Sequence, residues 1–270
     1  MEHAADLIRA RKSIRTYDGR PVDETAREKL LGFAQSAENP YGIPLRFKML
    51  DARKDGLRCP VVSGTDLYIA AGIRRGKHME EAFGYSFECL VLYAQSLGIG
   101  TVWLGGTMDR AAFEKAMELE KNEVMPCASP LGYAAEKYSL RESLMRKGIK
   151  ADTRAPFETL FFDGGFDTPL TPEKAGDCAD MLEAVRWAPS AVNRQPWRCV
   201  LRGNAVHFYL QHTRGLVSAA TGDMQKIDMG IALCHFDLAA REKGIKPRLE
   251  LEDPGIPTPP QVEYIATYIL

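Results

Sequence analysis

The chain has 270 residues, of which 45% are hydrophobic, so it can bury one large core or two smaller ones. Lysine and arginine number 35 against 36 aspartates and glutamates, a formal net charge of -1. This balance lacks the basic excess that binding to nucleic-acid phosphates requires. The N-terminal segment MEHAADLIRARKSIR has no apolar signal-peptide core, so we expect a cytoplasmic protein that is not exported.

The first predicted elements are a helix and a strand. Asp23 can cap a helix that runs to about Ala37, because its side chain can accept from the first free backbone N–H groups. Residues 45–50 alternate between apolar and polar side chains, as a strand does, before a turn at residues 54–56.

Residues 87–106 are apolar over about the length of a membrane span. Glu88, Gly98 and Gly100 interrupt this stretch, which therefore predicts a buried helix followed by a short strand at residues 101–104. The two glycines follow a helix and precede a strand. That order is the reverse of a dinucleotide-binding fingerprint, so we reject one here.

Beyond this strand, Thr107 or Asp109 can cap a helix over residues 111–119. The connecting segment 147–172 contains three prolines and a pair of glycines, which is typical of a linker. It also contains the apolar residues 157–162, so we expect it to dock on the core.

An internal repeat organises the chain. Residues 84–99 align without a gap with residues 230–245, and both segments are apolar helical patterns that begin at a glycine and stop at a second glycine, Gly98 or Gly244. We predict two buried helices, over residues 78–97 and 226–243, that pack together at the centre of the molecule.

A second match lies upstream in the same order, where residues 33–39 align with residues 187–193. Residues 199–210 then form strand, Gly-Asn turn and strand, the pattern of a hairpin. We predict an α+β fold with an internal duplication that forms an intrachain pseudo-dimer. Its halves are residues 1–158 and 159–270, intertwined as one globular unit.

The cysteines and histidines do not suggest a metal centre. The six cysteines show no CxxC spacing, which favours free thiols in a reducing compartment over a disulfide framework or zinc cage. His235 lies in an apolar helical segment without a second ligand three or four residues away. We expect it to be a hydrogen-bonded core histidine.

The segment Arg11-Lys12-Ser13-Ile14-Arg15 could bind a phosphate. Arginine offers a planar fork of donors, lysine a point charge and serine a hydroxyl. The alternative, a solvated basic face of a short amphipathic helix, stays open.

The sequence APSAVNRQPW, residues 188–197, is more specific. Pro189 ends the preceding helix, so Ser190, Ala191 and Asn193 are expected in a rigid turn that presents polar groups to a ligand. In the segment WLGG, Leu104 precedes Gly105 and Gly106, and these glycines permit close approach of the backbone to a flat ring.

These segments, together with Pro130-Leu131-Gly132-Tyr133 and Arg154-Ala-Pro-Phe157, resemble the nitroreductase family of flavoproteins, and most of all a subgroup with two fused family units. The resemblance implies a nitroreductase-like fold, bound FMN, and NAD(P)H as co-substrate in a two-step hydride relay to a nitroaromatic or quinone. No side chain need act as acid or base. It implies a phosphate clamp formed by Arg11, Lys12, Ser13, Arg15 and a basic residue after PLGY, for which Arg141 is the first choice and Lys137 the second. A solvated charged segment after PLGY stays open as the alternative. The resemblance also implies flavin contacts by Leu104, Gly105, Gly106, Pro189, Ser190, Ala191 and Asn193.

In the family that this chain resembles, each flavin site takes its phosphate clamp from one unit and its APSxxNxQPW turn from the other. Here the first half keeps the clamp, but its turn reads AQSAENP; the second half keeps the turn, but residues 165–167 replace the clamp. We therefore expect one FMN per chain and a monomer that acts as a pseudo-dimer, with further dimerisation left open. Two alternatives also stay open: a non-catalytic flavin store or sensor, and a flavin-free interaction module.

Overall fold

The structure, a computed structural model, describes residues 3–270. Its helices are α1 (Ala4–Ala10), α2 (Glu24–Ser36), α3 (Ala52–Asp55), α4 (Met79–Ser96), α5 (Arg110–Met117), α6 (Leu140–Gly148), α7 (Phe157–Leu160), α8 (Pro172–Ala175), α9 (Ala179–Trp187) and α10 (Met224–Glu242), with 3-10 turns at Gly176–Cys178 and Ala191–Asn193. Its strands are β1 (Arg46–Asp51), β2 (Leu67–Arg74), β3 (Glu123–Val124), β4 (Ala128–Pro130), β5 (Phe161–Asp163), β6 (Trp197–Arg202), β7 (Ala205–Gln211), β8 (Val217–Ser218), β9 (Gly222–Asp223), β10 (Arg248–Glu250) and β11 (Val262–Ile269).

Local hydrogen bonds explain where several predicted elements begin. Asp23 caps α2 by accepting from the backbone N–H of Ala26 at 2.9 Å. Of the two candidate caps for α5, Asp109 is the one used; it accepts from the N–H of Ala112 at 3.3 Å. The predicted hairpin is formed by β6 and β7, which meet at Gly203 with a φ of 62°.

The described residues form three sheets: a four-stranded sheet from the first part of the chain, a five-stranded sheet from the second, and a two-stranded sheet of β8 and β9. In the first, the order is β1-β2-β3, and β4 also pairs with β2. In the second, the order is β10-β11-β7-β6-β5, and β5 runs parallel to β6. Strand β5 comes from the connecting segment, in which Phe157, Leu160 and Phe161 are buried, so the prediction that this segment docks on the core is confirmed.

The predicted duplication is visible in the order of elements. Apart from the short inserted elements α3, β8 and β9, the series α2-β1-β2-α4 recurs as α9-β6-β7-α10, and each series places an antiparallel strand pair between two helices. Helices α4 and α10 are the predicted central pair, displaced by one or two residues at their ends, and they pack against each other. No helix within residues 3–270 is long and apolar enough to cross a membrane.

Two glycines set the closest approach of α4 and α10. A Cβ on Gly84 would lie 2.1 Å from the carbonyl oxygen of Ile227, and a Cβ on Gly230 would lie 2.1 Å from that of Glu81. In the aligned repeat, position 81 corresponds to 227 and 84 corresponds to 230, so these contacts are equivalent under exchange of the halves. The contacts therefore have the two-fold relation expected of a pseudo-dimer.

The same relation connects two buried pairs in this interface. Glu88 Oε1 lies 2.9 Å from His235 Nε2, and Cys89 Sγ lies 3.4 Å from Cys234 Sγ. Position 88 corresponds to 234 and position 89 to 235, so one pair occupies the place of the other. His235 Nδ1 also lies 3.0 Å from the carbonyl oxygen of Ala184, which confirms the prediction of a hydrogen-bonded core histidine.

One predicted strand is wrong. Residues 101–104 are extended but form only isolated bridges, because their two ends pair with different segments. Thr101 pairs in parallel with Ser13, and Leu104 pairs antiparallel with Ala128. No continuous ladder can form, yet these pairings bring the Arg11–Arg15 segment beside the WLGG segment.

Candidate active site

A cavity of about 610 Å³ lies between the two halves. Its volume is within the range of small-molecule and cofactor sites. The first half contributes Ser13, Arg15, Trp103 and residues 105–106 to the wall. The second half contributes residues 189–192 and one face of α10. The cavity therefore brings together the three segments that the sequence analysis selected.

One part of the wall is basic. Arg15 lines the cavity, and its Nε and Nη1 atoms are buried without a hydrogen-bond partner among the described residues. Burial lowers the pKa of this guanidinium group, and the nearby Glu142 carboxylate partly opposes that effect. Because buried donors in folded proteins are nearly always paired, these two N–H groups are suited to an anionic ligand.

Arg11 lies in the interior beside this region and does not line the cavity. Its Nε atom is 3.9 Å from Glu88 Oε1, and its Nε and Nη1 atoms have no hydrogen-bond partner within residues 3–270. Burial lowers the pKa of Arg11, while Glu88 acts in the opposite direction. Arg11 therefore adds a desolvated positive charge to the basic region.

Two further guanidinium groups belong to this region and were not among the predicted contacts. Arg146 Nη1 donates to the carbonyl oxygen of Ser13 at 3.2 Å, and its Nη2 pairs with Asp152. Burial, together with repulsion from Arg11, lowers the pKa of Arg154 to about 10. The sequence held a signal for both, since Arg146 is in the basic run after PLGY and Arg154 opens the RAPF motif.

The glycine wall is held in place by an arginine. A Cβ on Gly105 would lie 2.8 Å from Met224 Cε, whereas one on Gly106 would meet nothing within 4 Å. Arg110 donates to the carbonyl oxygen of Gly105 at 2.6 Å and also to carbonyls in residues 125–126. The backbone at the two glycines is therefore fixed while one side of it stays open.

The turn after Pro189 has an unusual backbone. Val192, Asn193 and Gln195 have positive φ angles of 44°, 57° and 51°. Such angles are uncommon outside glycine and particularly unfavourable for a β-branched residue. Asn193 Nδ2 stabilises the turn by donating to the carbonyls of Lys150 at 2.8 Å and Thr153 at 3.2 Å. Strained backbone of this kind clusters at functional sites.

Asp228 is the one carboxyl-bearing residue among the described residues that line the cavity. Both of its carboxyl oxygens accept from the backbone N–H of Ala191, at 3.0 and 3.1 Å. Burial raises the pKa of Asp228 well above its usual range, although the Ala191 N–H partly opposes this. The carboxyl group is therefore suited to hold a proton.

The predicted contact residues fall into two sets. Those that line the cavity are Ser13, Arg15, Gly105, Gly106, Pro189, Ser190 and Ala191. Those that lie outside its lining are Arg11, Lys12, Leu104, Arg141 and Asn193. Lys12 is exposed, Leu104 is a core residue, and the exposed Arg141 donates to the carbonyl of Pro60. Contact with a cofactor by any of these residues stays a prediction.

The sequence analysis missed the wall that α10 contributes. Its members share one helix face through spacings of three and four residues, and they are Met224, Ile227, Asp228 and Ile231. An aspartate within an apolar helical run was the available signal. The loop at residues 215–218 also lines the cavity, and its sequence carried no such signal.

The corresponding face of α4 is different in chemistry. Its residues His78, Glu81, Ala82 and Tyr85, here named the degenerate half-site, align with the four α10 residues that line the cavity. The ring of Tyr41 stacks on His78 with centroids 5.4 Å apart. Where the cavity has an apolar wall with one carboxyl group, the degenerate half-site has the polar residues His78, Glu81 and Tyr85, and an aromatic ring stacks on the first of these. The two half-sites have therefore diverged.

Comparison with known proteins agrees with this geometry. A family model described as "Putative TM nitroreductase" matches residues 4–240. The solved structure of a "putative nitroreductase" from Thermotoga maritima has a TM-score of 0.64 and 20% identity, covering 100% of this chain and 94% of that one. None of the curated proteins matches the chain.

Two other solved structures match about half of the chain. One is described as a "Putative NADH dehydrogenase/NAD(P)H nitroreductase" from Bacteroides thetaiotaomicron; it is 22% identical, with a TM-score of 0.44, and covers 53% of this chain and 96% of that one. The other is an FMN-dependent nitroreductase from Clostridium difficile; it is 17% identical, with a TM-score of 0.42, and covers 50% and 92%. The match of the family model over residues 4–240 shows that this chain belongs to the nitroreductase family of oxidoreductases.

Proposed function

We propose that this chain is an FMN-dependent oxidoreductase that uses NAD(P)H to reduce an electron-poor acceptor such as a nitroaromatic or quinone. Family membership supports the reaction class. The observation that carries the proposal is the cavity between the halves, where Arg15 presents unpartnered guanidinium donors near a strained turn and a glycine wall.

The basic region fits the phosphate of FMN. The Arg15 Nε and Nη1 groups can donate to phosphate oxygens, and Ser13 adds a hydroxyl in the same wall. Arg11 and Arg154 contribute positive charge from the interior, where desolvation strengthens attraction to an anion. Four guanidinium groups in one region, counting Arg146, are explained by a bound anion.

The remaining walls fit a flat ring. Gly105 and Gly106 present backbone rather than side chains, and Pro189 to Ala191 present a rigid turn on the opposite half. When bound, FMN supplies the N5 atom that accepts and returns hydride. The protein residues bind and orient FMN and leave room for the acceptor. Arg15 and Arg110 favour negative charge on a molecule held in the cavity.

We also propose one FMN per chain, in a monomer whose halves, residues 1–158 and 159–270, act as a pseudo-dimer. The boundary falls within α7, so the halves share that element. The polar character of the degenerate half-site supports a single site.

An absorbance spectrum of the purified protein, followed by NADPH oxidation with a quinone or nitrofuran, tests the function. Bound oxidised flavin with turnover of both substrates is the expected result. A colourless protein that binds no added FMN would contradict the cofactor, and a flavin-loaded protein without acceptor-dependent NADPH oxidation would point to a store or sensor.

A further inference from the structure

Asp228 is the acidic residue in a cavity wall that is otherwise apolar, neutral or basic among the described residues. It is 2% exposed, and its hydrogen-bond partner is the neutral backbone N–H of Ala191. A carboxylate buried in this way is costly unless it is paired with a cation or protonated. The geometry therefore favours a neutral carboxylic acid in the wall.

The charged and titratable groups around Asp228 fit that state. Asp223, at the start of the same helix, carries a like charge that disfavours ionisation of Asp228. The Cys127 thiol is close enough to Asp228 to be affected by its charge, and burial raises the pKa of Cys127 to about 12, so this thiol stays neutral. Arg15 and Arg110 line the same cavity, but neither forms an ion pair with Asp228 in the described part of the chain.

The comparison of the half-sites gives an independent reason to look for a role. Asp228 aligns with Ala82 in the degenerate half-site, although the glycine contacts that fix this alignment are kept in both halves. The acid is therefore not needed for the packing of a central helix. The acid is instead present in the half-site that contains the cavity, where it lines the wall.

We propose that Asp228 delivers the proton that completes reduction of the acceptor, an inference that rests on the proposed function. Two-electron reduction of a quinone to a hydroquinone requires a hydride, which NAD(P)H ultimately supplies, and one proton. The O–H bond of Asp228 breaks with its electron pair left on the carboxylate, and a new O–H bond forms on the acceptor. Water then returns a proton to Asp228.

The main competing role is structural, since Asp228 also holds the N–H of Ala191. A residue that only positions the turn would affect binding of FMN and acceptor alike, without linking the rate to its own ionisation. An asparagine side chain keeps the acceptor oxygen for the Ala191 N–H but cannot deliver a proton. Asp228→Asn therefore separates the two roles.

The test uses the FMN-loaded protein and rapid mixing of the reduced form with a quinone at several pH values. In the wild type, the rate should fall as pH rises through the pKa of Asp228. In Asp228→Asn, the rate should be about 100-fold lower and independent of this titration, as expected for loss of a general acid. Asp228→Glu should restore part of the rate and a pH dependence.

A second readout is independent of turnover. The infrared difference spectrum of FMN-free wild type minus Asp228→Asn should contain the band of a protonated carboxyl at neutral pH. FMN affinity, measured by quenching of flavin fluorescence, should be unchanged. Asp237→Asn, which removes another buried carboxyl of α10 outside the cavity wall, is the matched control and should keep the wild-type pH profile.

The proposal is overturned if Asp228→Asn keeps the wild-type rate and pH profile, or if its loss of rate only follows a loss of FMN affinity. The absence of any protonated-carboxyl band from the infrared spectrum of the wild type at neutral pH would also overturn it, even if the variants failed to fold. A protein that binds no FMN would instead refute the proposed function, so the two failures are distinguishable.

Discussion

Arg15 and Arg11 both have unpartnered guanidinium nitrogens, but Arg15 lines the cavity and Arg11 lies beside buried Glu88. A charge-assisted hydrogen bond contributes about 1.5–3 kcal/mol, so Arg15→Ala should weaken FMN binding roughly ten- to a hundredfold with little change in folding stability. Arg11→Ala removes the positive charge beside buried Glu88, which keeps its hydrogen bonds with Trp103 and His235, and should also lower the free energy of unfolding, by about 1–3 kcal/mol.

Fluorescence titration with FMN and urea unfolding measure these two quantities. Arg20→Ala, at an exposed arginine paired with Asp18, is the control and should change neither. Undiminished FMN affinity in Arg15→Ala would refute the assignment of the basic region to phosphate binding.

Asn193 and Asn39 occupy equivalent positions in the two turns, yet their hydrogen bonds differ. Asn193 has a φ of 57° and anchors the strained turn to residues 150–153, whereas Asn39 bonds Ile43 and Ser86 within its own half. Asn193→Ala loses two hydrogen bonds, at a cost of about 1–3 kcal/mol. Asn39→Ala loses four, because Asn39 Oδ1 also accepts from the backbone N–H groups of Tyr41 and Ile43, at a cost of roughly 2–6 kcal/mol.

In Asn193→Ala this loss should lower FMN affinity several-fold, because the turn forms part of the cavity wall. In Asn39→Ala it should lower the thermal midpoint without changing FMN affinity. Parallel titrations of both variants check the expectation, and equal effects on FMN binding would show that the first-half turn still contributes to a site.

Glu81 is a buried carboxyl-bearing residue of the degenerate half-site. Burial raises its pKa to about 7. Since the folded state holds this proton more tightly than the unfolded state, the contribution to stability is complete at acidic pH and is lost as pH rises toward about 7. The total is about 3 kcal/mol.

Glu81→Gln should therefore flatten the dependence of the thermal midpoint on pH between about 4.5 and 7. Glu28→Gln, at an exposed position of α2, serves as control and should leave the wild-type slope. A wild-type slope in Glu81→Gln would mean that the carboxyl is ionised in the folded protein.

At the scale of elements, the contact of α4 and α10 depends on two missing side chains. Gly84→Ala and Gly230→Ala each place a Cβ 2.1 Å from a backbone carbonyl of the other helix, so the helices must separate. We expect each variant to lose at least about 3 kcal/mol of folding stability, the upper end for an overpacked core.

Gly32→Ala is the matched control, because Gly32 is an exposed residue of α2 with no atom near the position of a Cβ. It should gain about 0.5–1 kcal/mol from helix propensity. Urea unfolding of the three variants measures the difference, and tolerance of alanine at both 84 and 230 would contradict the packing.

The elements that could be predicted from sequence are those with strong local signals. The glycine-bounded apolar repeats predicted α4 and α10, and Asp23 and Asp109 predicted helix starts that the structure confirms. Residues 101–104 were expected as a strand because their composition suits one, but ladder formation depends on partners distant in sequence. Beyond the signal given by Asp228, the α10 wall could not be predicted, because tertiary packing decides which face of a largely buried helix borders a cavity.

At the scale of the whole molecule, duplication followed by divergence explains why the motifs that line the cavity are divided between the halves. The first half contributes the basic region and the glycine wall, and the second contributes the strained turn and the α10 face. Exchange of the halves places His78, Glu81 and Tyr85 where the cavity has Met224, Ile227 and Ile231. A flavin ring in the degenerate half-site would have to displace Tyr41 and would meet these polar groups in place of an apolar wall.

The most direct test of the central claim is the amount of FMN bound per chain. Protein saturated with FMN and freed of excess ligand is denatured, and the released flavin is quantified against the protein concentration. The account predicts one FMN per chain. Two FMN per chain would show that the degenerate half-site still binds flavin and would contradict the claim that a single site is shared by the two halves.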